Sequence, residues 1–286
     1  MSETCTHNCD SCGANCGDRN TQQKGKNSFL KVPHPESKIK YVIGVASGKG
    51  GVGKSTVTVL IATMLQKRGY KTAILDADIT GPSIPKIFGV HDRAEIVEGA
   101  MYPAFTHTGI QIMSSNLILD HETDPVIWRG PIVAGVVQQF WTDVVWTDVD
   151  VMLIDMPPGT GDVPLTVYQS IPLDGLVVVT SPQQLVSMIV EKAIHMSEMM
   201  DIPILGLVEN DSYYTCPDCG KKHFIYGESK IEEMATQFGI ENVVRLPILP
   251  KLAEEFDKGE AESFDTSLLG EEVQEFLNKM MEFENC

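Results

Sequence analysis

The sequence predicts a doubly wound α/β fold, a mostly parallel sheet with helices on both faces, and three observations carry that prediction. From residue 41 onward, short β-branched apolar runs alternate with helix-like stretches. The runs are apolar at nearly every position rather than every second one, as strands buried on both faces must be. The first run leads into a glycine-rich turn that opens a helix, the arrangement of a phosphate-binding loop.

The elements follow in order. Strands are expected at "YVIGVA" (41–46), "TAILDAD" (72–78), "IQIMSS" (110–115), "DVMLIDM" (150–156), "GLVVVT" (175–180), "PILGLVEN" (203–210) and "VVRLPI" (243–248). Helical periodicity is expected over 54–68, closed by Gly69, and over 130–146, 182–200 and 230–238. Right-handed crossovers bring the loops at the carboxyl ends of such strands together. Residues 1–38 differ: rich in Cys, Asn, Gly, Lys and Ser and ending in "VPHPES", they read as a metal-binding tail and linker. Residues 39–286 read as one domain with no internal break.

Composition narrows the function. The chain has 286 residues and a formal net charge of −17, without a basic block, so neither nucleic acid nor an anionic membrane is an expected partner. No apolar run is long enough to cross a bilayer, and "MSETCTHNCD" lacks the basic and apolar regions of a secretory signal. A cytoplasmic location is therefore expected. There the seven cysteines point to metal binding or catalysis rather than disulfides.

"GVASGKGGVGKST" contains G-x-x-x-x-G-K-[ST] from Gly48 to Ser55, followed by Thr56. Gly48, Gly50, Gly51 and Gly53, with Val52 between, let backbone N–H groups converge on phosphate oxygens at a helix N-terminus. Lys54 would neutralise the β- and γ-phosphates of ATP, and the Ser55 hydroxyl would ligate Mg²⁺. Asp76 and Asp78 stand two apart, on one face if both lie on a strand. Asp155 in "LIDMPPGTGD" ends an apolar strand as a Walker B aspartate does, and Gly159 and Gly161 follow in a loop able to sense a γ-phosphate.

Two cysteine groups remain. Cys5, Cys9, Cys12 and Cys16 form C-x3-C-x2-C-x3-C, tight enough to wrap one centre; zinc and a [4Fe–4S] cluster both accept four thiolates. Cys216 and Cys219 in "TCPDCGKKH" offer only two, and no second C-x-x-C follows. His223 in a polar loop is more often solvated than ligating, and a redox dithiol lacks its usual thioredoxin-like context. A two-fold axis makes up the shortage, since an isologous interface sets each pair opposite its own copy.

"GKGGVGKS" resembles the deviant Walker A loop of the MinD, ParA and nitrogenase iron-protein class. By that resemblance Lys49 reaches the nucleotide of the other subunit in a homodimer, Asp78 orients the attacking water, Asp76 belongs to the Mg²⁺ shell, and Asn210 reads the adenine. Together with "DADITGPSIP", "WRGP", "DMPPGTGD" and "VENDSYYTCPDCGKKHFIYG", the chain resembles the Mrp/ApbC-type P-loop ATPases, which carry iron–sulfur clusters, over residues 39–260. The resemblance implies a homodimer in which Cys216 and Cys219 bridge a [4Fe–4S] cluster, with apo iron–sulfur proteins and cluster-assembly factors as partners. The N-terminal cysteines resemble an extra cluster of a eukaryotic cytosolic branch, with shorter spacing. A MinD/ParA-like positioning ATPase is the alternative reading; its membrane form needs a basic amphipathic helix, whereas "GEEVQEFLNKMMEFENC" is acidic. A zinc protein with an ATPase core is the third.

Overall fold

The structure is a computed structural model that describes residues 29–282 apart from Thr80, Glu98, 120–129 and 184–186. Cys5, Cys9, Cys12, Cys16, Cys286 and the Trp128–Arg129 half of "WRGP" lie outside the described residues. Two compact units divide the chain, Met1–Leu30 and Lys31–Cys286; the second contains all the elements that follow.

In chain order these are β1 (Ile39–Ser47), α1 (Lys54–Lys67), β2 (Thr72–Asp76), α2 (Ile84–Ile87), β3 (Glu95–Val97), β4 (Ala100–Tyr102), β5 (Ala104–Phe105) and β6 (Gln111–Met113). Then come α3 (Gly130–Thr142), β7 (Val149–Asp155), α4 (Asp162–Ser170), β8 (Gly175–Thr180), α5 (Ser187–Met200), β9 (Ile204–Thr215) and β10 (Lys222–His223). The chain closes with α6 (Ile231–Phe238), β11 (Val243–Pro247), α7 (Pro250–Asp257) and α8 (Glu271–Met281).

Nine of the described strands form one sheet in the order β10-β9-β8-β1-β7-β2-β6-β5, with β11 also paired to β9. Every pairing is parallel except β10 with β9 and β5 with β6. The alternation of side chains along a strand divides the core into two layers. Ile43, Val45, Leu153 and Val179 face the layer containing Val57 and Leu60 of α1 with Phe276 and Leu277 of α8. Val42, Ala46, Ile154 and Val178 face the layer built from Phe140 and Trp141 of α3, Val167 of α4 and Ile194 of α5. Both faces of each strand are thus covered, which is why the strands read as continuous apolar runs.

The differences from expectation have local causes. β2 stops at Asp76 rather than residue 78, because the Asp78 N–H turns back to Asp76 Oδ1 (3.2 Å). Asp76 and Asp78 therefore do not share a strand face. Helix α3 ends at Thr142 instead of running to 146, where Val145 N–H bonds Met101 O at 2.8 Å. Residues 31–38, assigned above to tail and linker, are bonded to the body: Lys31 N–H to Ser170 O (2.8 Å), Trp141 Nε1–H to Lys31 O (2.9 Å) and Lys38 N–H to Trp146 O (2.9 Å). Among the described residues no helix is long and apolar enough to cross a membrane. The acidic α8 buries Val273, Phe276, Leu277, Met280 and Met281 against the sheet, so its apolar face is committed to the core.

Candidate functional site

The glycine-rich loop joins β1, which lies between β7 and β8, to α1. Gly51 and Gly53 both have φ of +79°, a left-handed conformation that side-chain-bearing residues resist. At Gly53 space is also closed: a Cβ would lie 2.1 Å from Asn210 Nδ2. Asn210, buried on β9, donates through that Nδ2 to Val52 O at 3.1 Å and so clamps the loop to the sheet.

A cleft of about 680 Å³ opens above the loop, lined by Gly50, Gly51, Gly53, Lys54, Ser55, Thr56, Asp78 and Asn210. Its far wall is Pro247–Pro250 with Leu252, Ala253 and Phe256, an apolar surface suited to a flat ring. Beneath lies a buried charge cluster. Lys54 Nζ is 2.7 Å from Asp155 Oδ1, with both side chains almost inaccessible. The Ser55 hydroxyl donates to Asp155 Oδ2 at 2.6 Å and the Thr58 hydroxyl to Oδ1 at 2.8 Å. Although close, the Lys54 ammonium is misaligned for a hydrogen bond and stands as a buried cation with its donors uncommitted. Such an ammonium at a glycine cradle suits a polyphosphate, and the neighbouring Ser55 hydroxyl and Asp155 carboxylate are hard oxygen donors that suit Mg²⁺.

Asp76 sits behind this cluster, register-paired with Asp155 and fully buried. Burial, and next the Asp155 carboxylate, push its pKa up to about 8, against the pull of Lys54 and the Ser114 hydroxyl. Ser114 donates to Asp76 Oδ2 at 3.0 Å. Asp78 reaches the cleft and Asp76 does not. Gly159, with φ of +86°, donates its N–H to Ser47 O at 2.9 Å, holding the loop after β7 against the phosphate loop. Lys49 points elsewhere: its Nζ donates to Gln183 Oε1 at 2.6 Å, outside the cleft lining.

The sequence reading missed Thr58, Ser114 and the apolar wall. Thr58 follows Lys54 by four residues on α1, so helical spacing would have found it. Ser114 and the wall reach the site only through sheet register and chain crossovers, which leave no local signal.

Cys216 and Cys219 lie apart from the cleft, in the turn of the β9–β10 hairpin, where Thr215 pairs with Lys222 and Tyr214 with His223. Cys216 N–H bonds Lys221 O at 3.0 Å, Gly220 N–H bonds Cys216 O at 2.9 Å, and Gly220 has φ of +69°. The backbone N–H groups of Cys219, then Asp218, and the Cys219 side chain hold the Cys216 thiol below its ordinary pKa. This favours thiolate, the metal-binding form. Cys219 is exposed and Cys216 partly so. Among the described residues, no group of three or more His, Cys, Asp or Glu is arranged to hold a metal, and His223 is exposed on β10. The hairpin thus presents two thiols together on the surface.

Fold, cradle and buried Lys–Asp–Ser cluster together define a P-loop NTPase of the MinD/ParA-like type. The family model for ParA-type, NUBPL iron-transfer P-loop NTPases matches residues 38–282. An iron–sulfur cluster carrier protein of Clostridium perfringens is 49% identical over 79% of this chain and 82% of its own length. That of Methanococcus maripaludis is 39% identical over 99% of this chain and 98% of its own. A nucleotide-binding protein of Archaeoglobus fulgidus, solved with ADP, superposes with a TM-score of 0.72 at 41% identity, covering 79% of this chain and 89% of that one. The cell-division ATPase MinD of Pyrococcus furiosus, at 20% identity and a TM-score of 0.60 over 86% and 98% of the two chains, shares the fold. The chain belongs to the iron–sulfur cluster carrier family of P-loop NTPases.

Proposed function

We propose that this chain is an ATP-dependent iron–sulfur cluster carrier. It works as a homodimer in which Cys216 and Cys219 of two copies hold one [4Fe–4S] cluster as cargo and pass it to apoproteins. The observation that carries the reading is a pair of cysteines, one exposed and one partly so, on a surface hairpin at the end of the strand whose Asn210 clamps the phosphate loop.

At the nucleotide site, the N–H groups around Gly51 and Gly53 and the Lys54 ammonium bind the phosphates. Ser55 and Asp155 would hold Mg²⁺, which would supply charge neutralisation for the phosphates. Asp78, at the cleft, orients the attacking water, and Asp76 supports the metal shell from behind. Lys49, turned away from its own cleft, serves the partner's nucleotide, and Asn210 reads the adenine. Residues 1–30 act as a tail whose Cys5, Cys9, Cys12 and Cys16 bind a second centre, of zinc or iron–sulfur, and residues 31–286 form the ATPase domain. The protein acts in the cytoplasm, with cluster-assembly factors and client apoproteins as partners and neither nucleic acid nor membrane. The positioning-ATPase alternative loses support because α8 has no free apolar face to lay on a lipid surface.

The test is anaerobic reconstitution with iron, sulfide and zinc counts. A protein lacking residues 1–30 should bind about four irons and four sulfides per dimer. Cys216→Ala in that background should lose them together with the brown charge-transfer absorbance. Full retention of the absorbance by the variant would sink the bridging role, and zinc without sulfide would favour a structural metal protein.

A further inference from the structure

Directly after the thiol hairpin come three consecutive large apolar residues, Phe224, Ile225 and Tyr226, that are 44%, 59% and 47% exposed. Single exposed apolar residues need no explanation, but a contiguous triplet beside a functional group marks a contact surface. We propose that this triplet is where a second copy of the chain seats on the hairpin, each copy's Phe224–Tyr226 forming an apolar collar around the shared cluster. The inference rests on the bridging role given to Cys216 and Cys219 and assigns the residues that hold the two copies together there.

Three features of the segment favour a second copy as occupant. Among the described residues the thiol pair beside it gains no further ligand, so on the bridging reading a second copy seated on the triplet also brings the other two thiolates. The charge fits as well. A chain of net charge −17 repels its own copy, yet over residues 215–230 three lysines (Lys221, Lys222 and Lys230) face only two acids, Asp218 and Glu228. Two such faces meet with little acid between them, and their lysines counter the negative charge of a thiolate-bound cluster.

The third feature is rigidity. The hairpin pairing of Tyr214 with His223 fixes the entry to the triplet, and Lys222 Nζ lies 4.0 Å from the centre of the Tyr213 ring. Gly227, with φ of +96°, donates its N–H back to Phe224 O at 3.2 Å and sets the turn. At the exit the Ser229 hydroxyl donates to buried Glu209 Oε1 at 2.9 Å, and Ser212 donates to Oε2 at 2.6 Å. A surface already held in shape loses little conformational entropy when it binds. The collar would also keep water and oxygen from the cluster, which a pair of bare hairpins would not.

The test uses the full chain, reconstituted anaerobically with iron and sulfide. Its mass is read by light scattering, its cluster content by iron and sulfide analysis, and cluster decay by absorbance on exposure to air. The triple variant Phe224→Ser, Ile225→Ser, Tyr226→Ser should keep its melting temperature and ATP binding. Its dimer should dissociate roughly tenfold more readily or worse, and its cluster content should fall with it. Separately, Tyr226→Trp should show indole emission shifting to the blue on cluster loading as the ring leaves water. A wild-type dimer that holds its cluster beside a triple variant that dimerises and loads equally well overturns the collar and leaves the carrier reading standing. A wild-type protein that binds no cluster overturns both. A variant that dimerises and loads normally but no longer delivers to an apoprotein makes the triplet a client-docking face, which also overturns the inference.

Discussion

Asp155 has three partners at once, the Lys54 ammonium and the hydroxyls of Ser55 and Thr58, so the residues expected to handle phosphate and metal are already gathered around one carboxylate. Lys54 and Ser55 were legible because G-x-x-x-x-G-K-[ST] states them directly. Gly53 offers the sharpest test of the cradle. Gly53→Ala adds a Cβ at positive φ against Asn210, costing roughly 1–3 kcal/mol of strain, and pushes the clamp off Val52. It should lower the melting temperature and abolish ATP binding by calorimetry. Asp76 gives a pH dependence. Its folded-state pKa is raised from an ordinary 3.8 to about 8, so the fold favours the neutral acid. The stabilisation is fully present below pH 4 and lost as pH rises through 8. Thermal melts of nucleotide- and metal-free protein should therefore fall between about pH 4 and 8 and level off above, and Asp76→Asn should flatten that fall. An unchanged slope in the variant would assign the pH dependence to other groups.

Strand β9 joins the two sites. Asn210 clamps the phosphate loop, Glu209 anchors the segment beyond the hairpin through Ser229, and the strand runs on to Thr215 and the thiols. Between them, Asp211 takes φ of +56° at a bulge where the register with β11 shifts. Asn210→Ala removes one buried hydrogen bond worth about 0.5–1.5 kcal/mol and should weaken ATP binding up to about tenfold by titration. Affinity equal to wild type would separate the clamp from nucleotide binding. Helix α8 supports the same strand: Phe276 packs so close to Gly206 that a Cβ there would lie 2.5 Å from its ring. Phe276→Ala should destabilise the protein by about 3–5 kcal/mol in urea titration. The helix itself was readable from its apolar spacing; that it covers β9 was not, because the partner strand is some sixty residues away in sequence.

Across the whole molecule, nucleotide binding should add to stability by mass action. ATP with Mg²⁺ at about one hundred times its dissociation constant contributes roughly 2.7 kcal/mol, and Lys54→Ala should lose that increment and also melt at a lower temperature without ligand. The fall without ligand would come from leaving Asp155 a buried carboxylate without its cation. The layered sheet also explains why the thiol hairpin is at an edge. β10 pairs only with β9 at the end of the sheet, leaving Cys216 and Cys219 on the surface.

The two opening signals, continuous apolar runs and the glycine loop, were local properties of the chain, so sequence alone determined the doubly wound class, the phosphate cradle and its Lys54–Ser55 pair. The C-x-x-C was equally visible as a motif, but only the structure put it at the exposed turn of an edge hairpin with no further possible ligand near it among the described residues. The Asp76–Asp155 pairing, the Asn210 clamp, the apolar wall and the exposed Phe224–Tyr226 triplet were decided by tertiary structure. Each depends on which strands lie side by side and which surfaces remain uncovered, and long-range packing settles both without leaving a trace in any short stretch of residues.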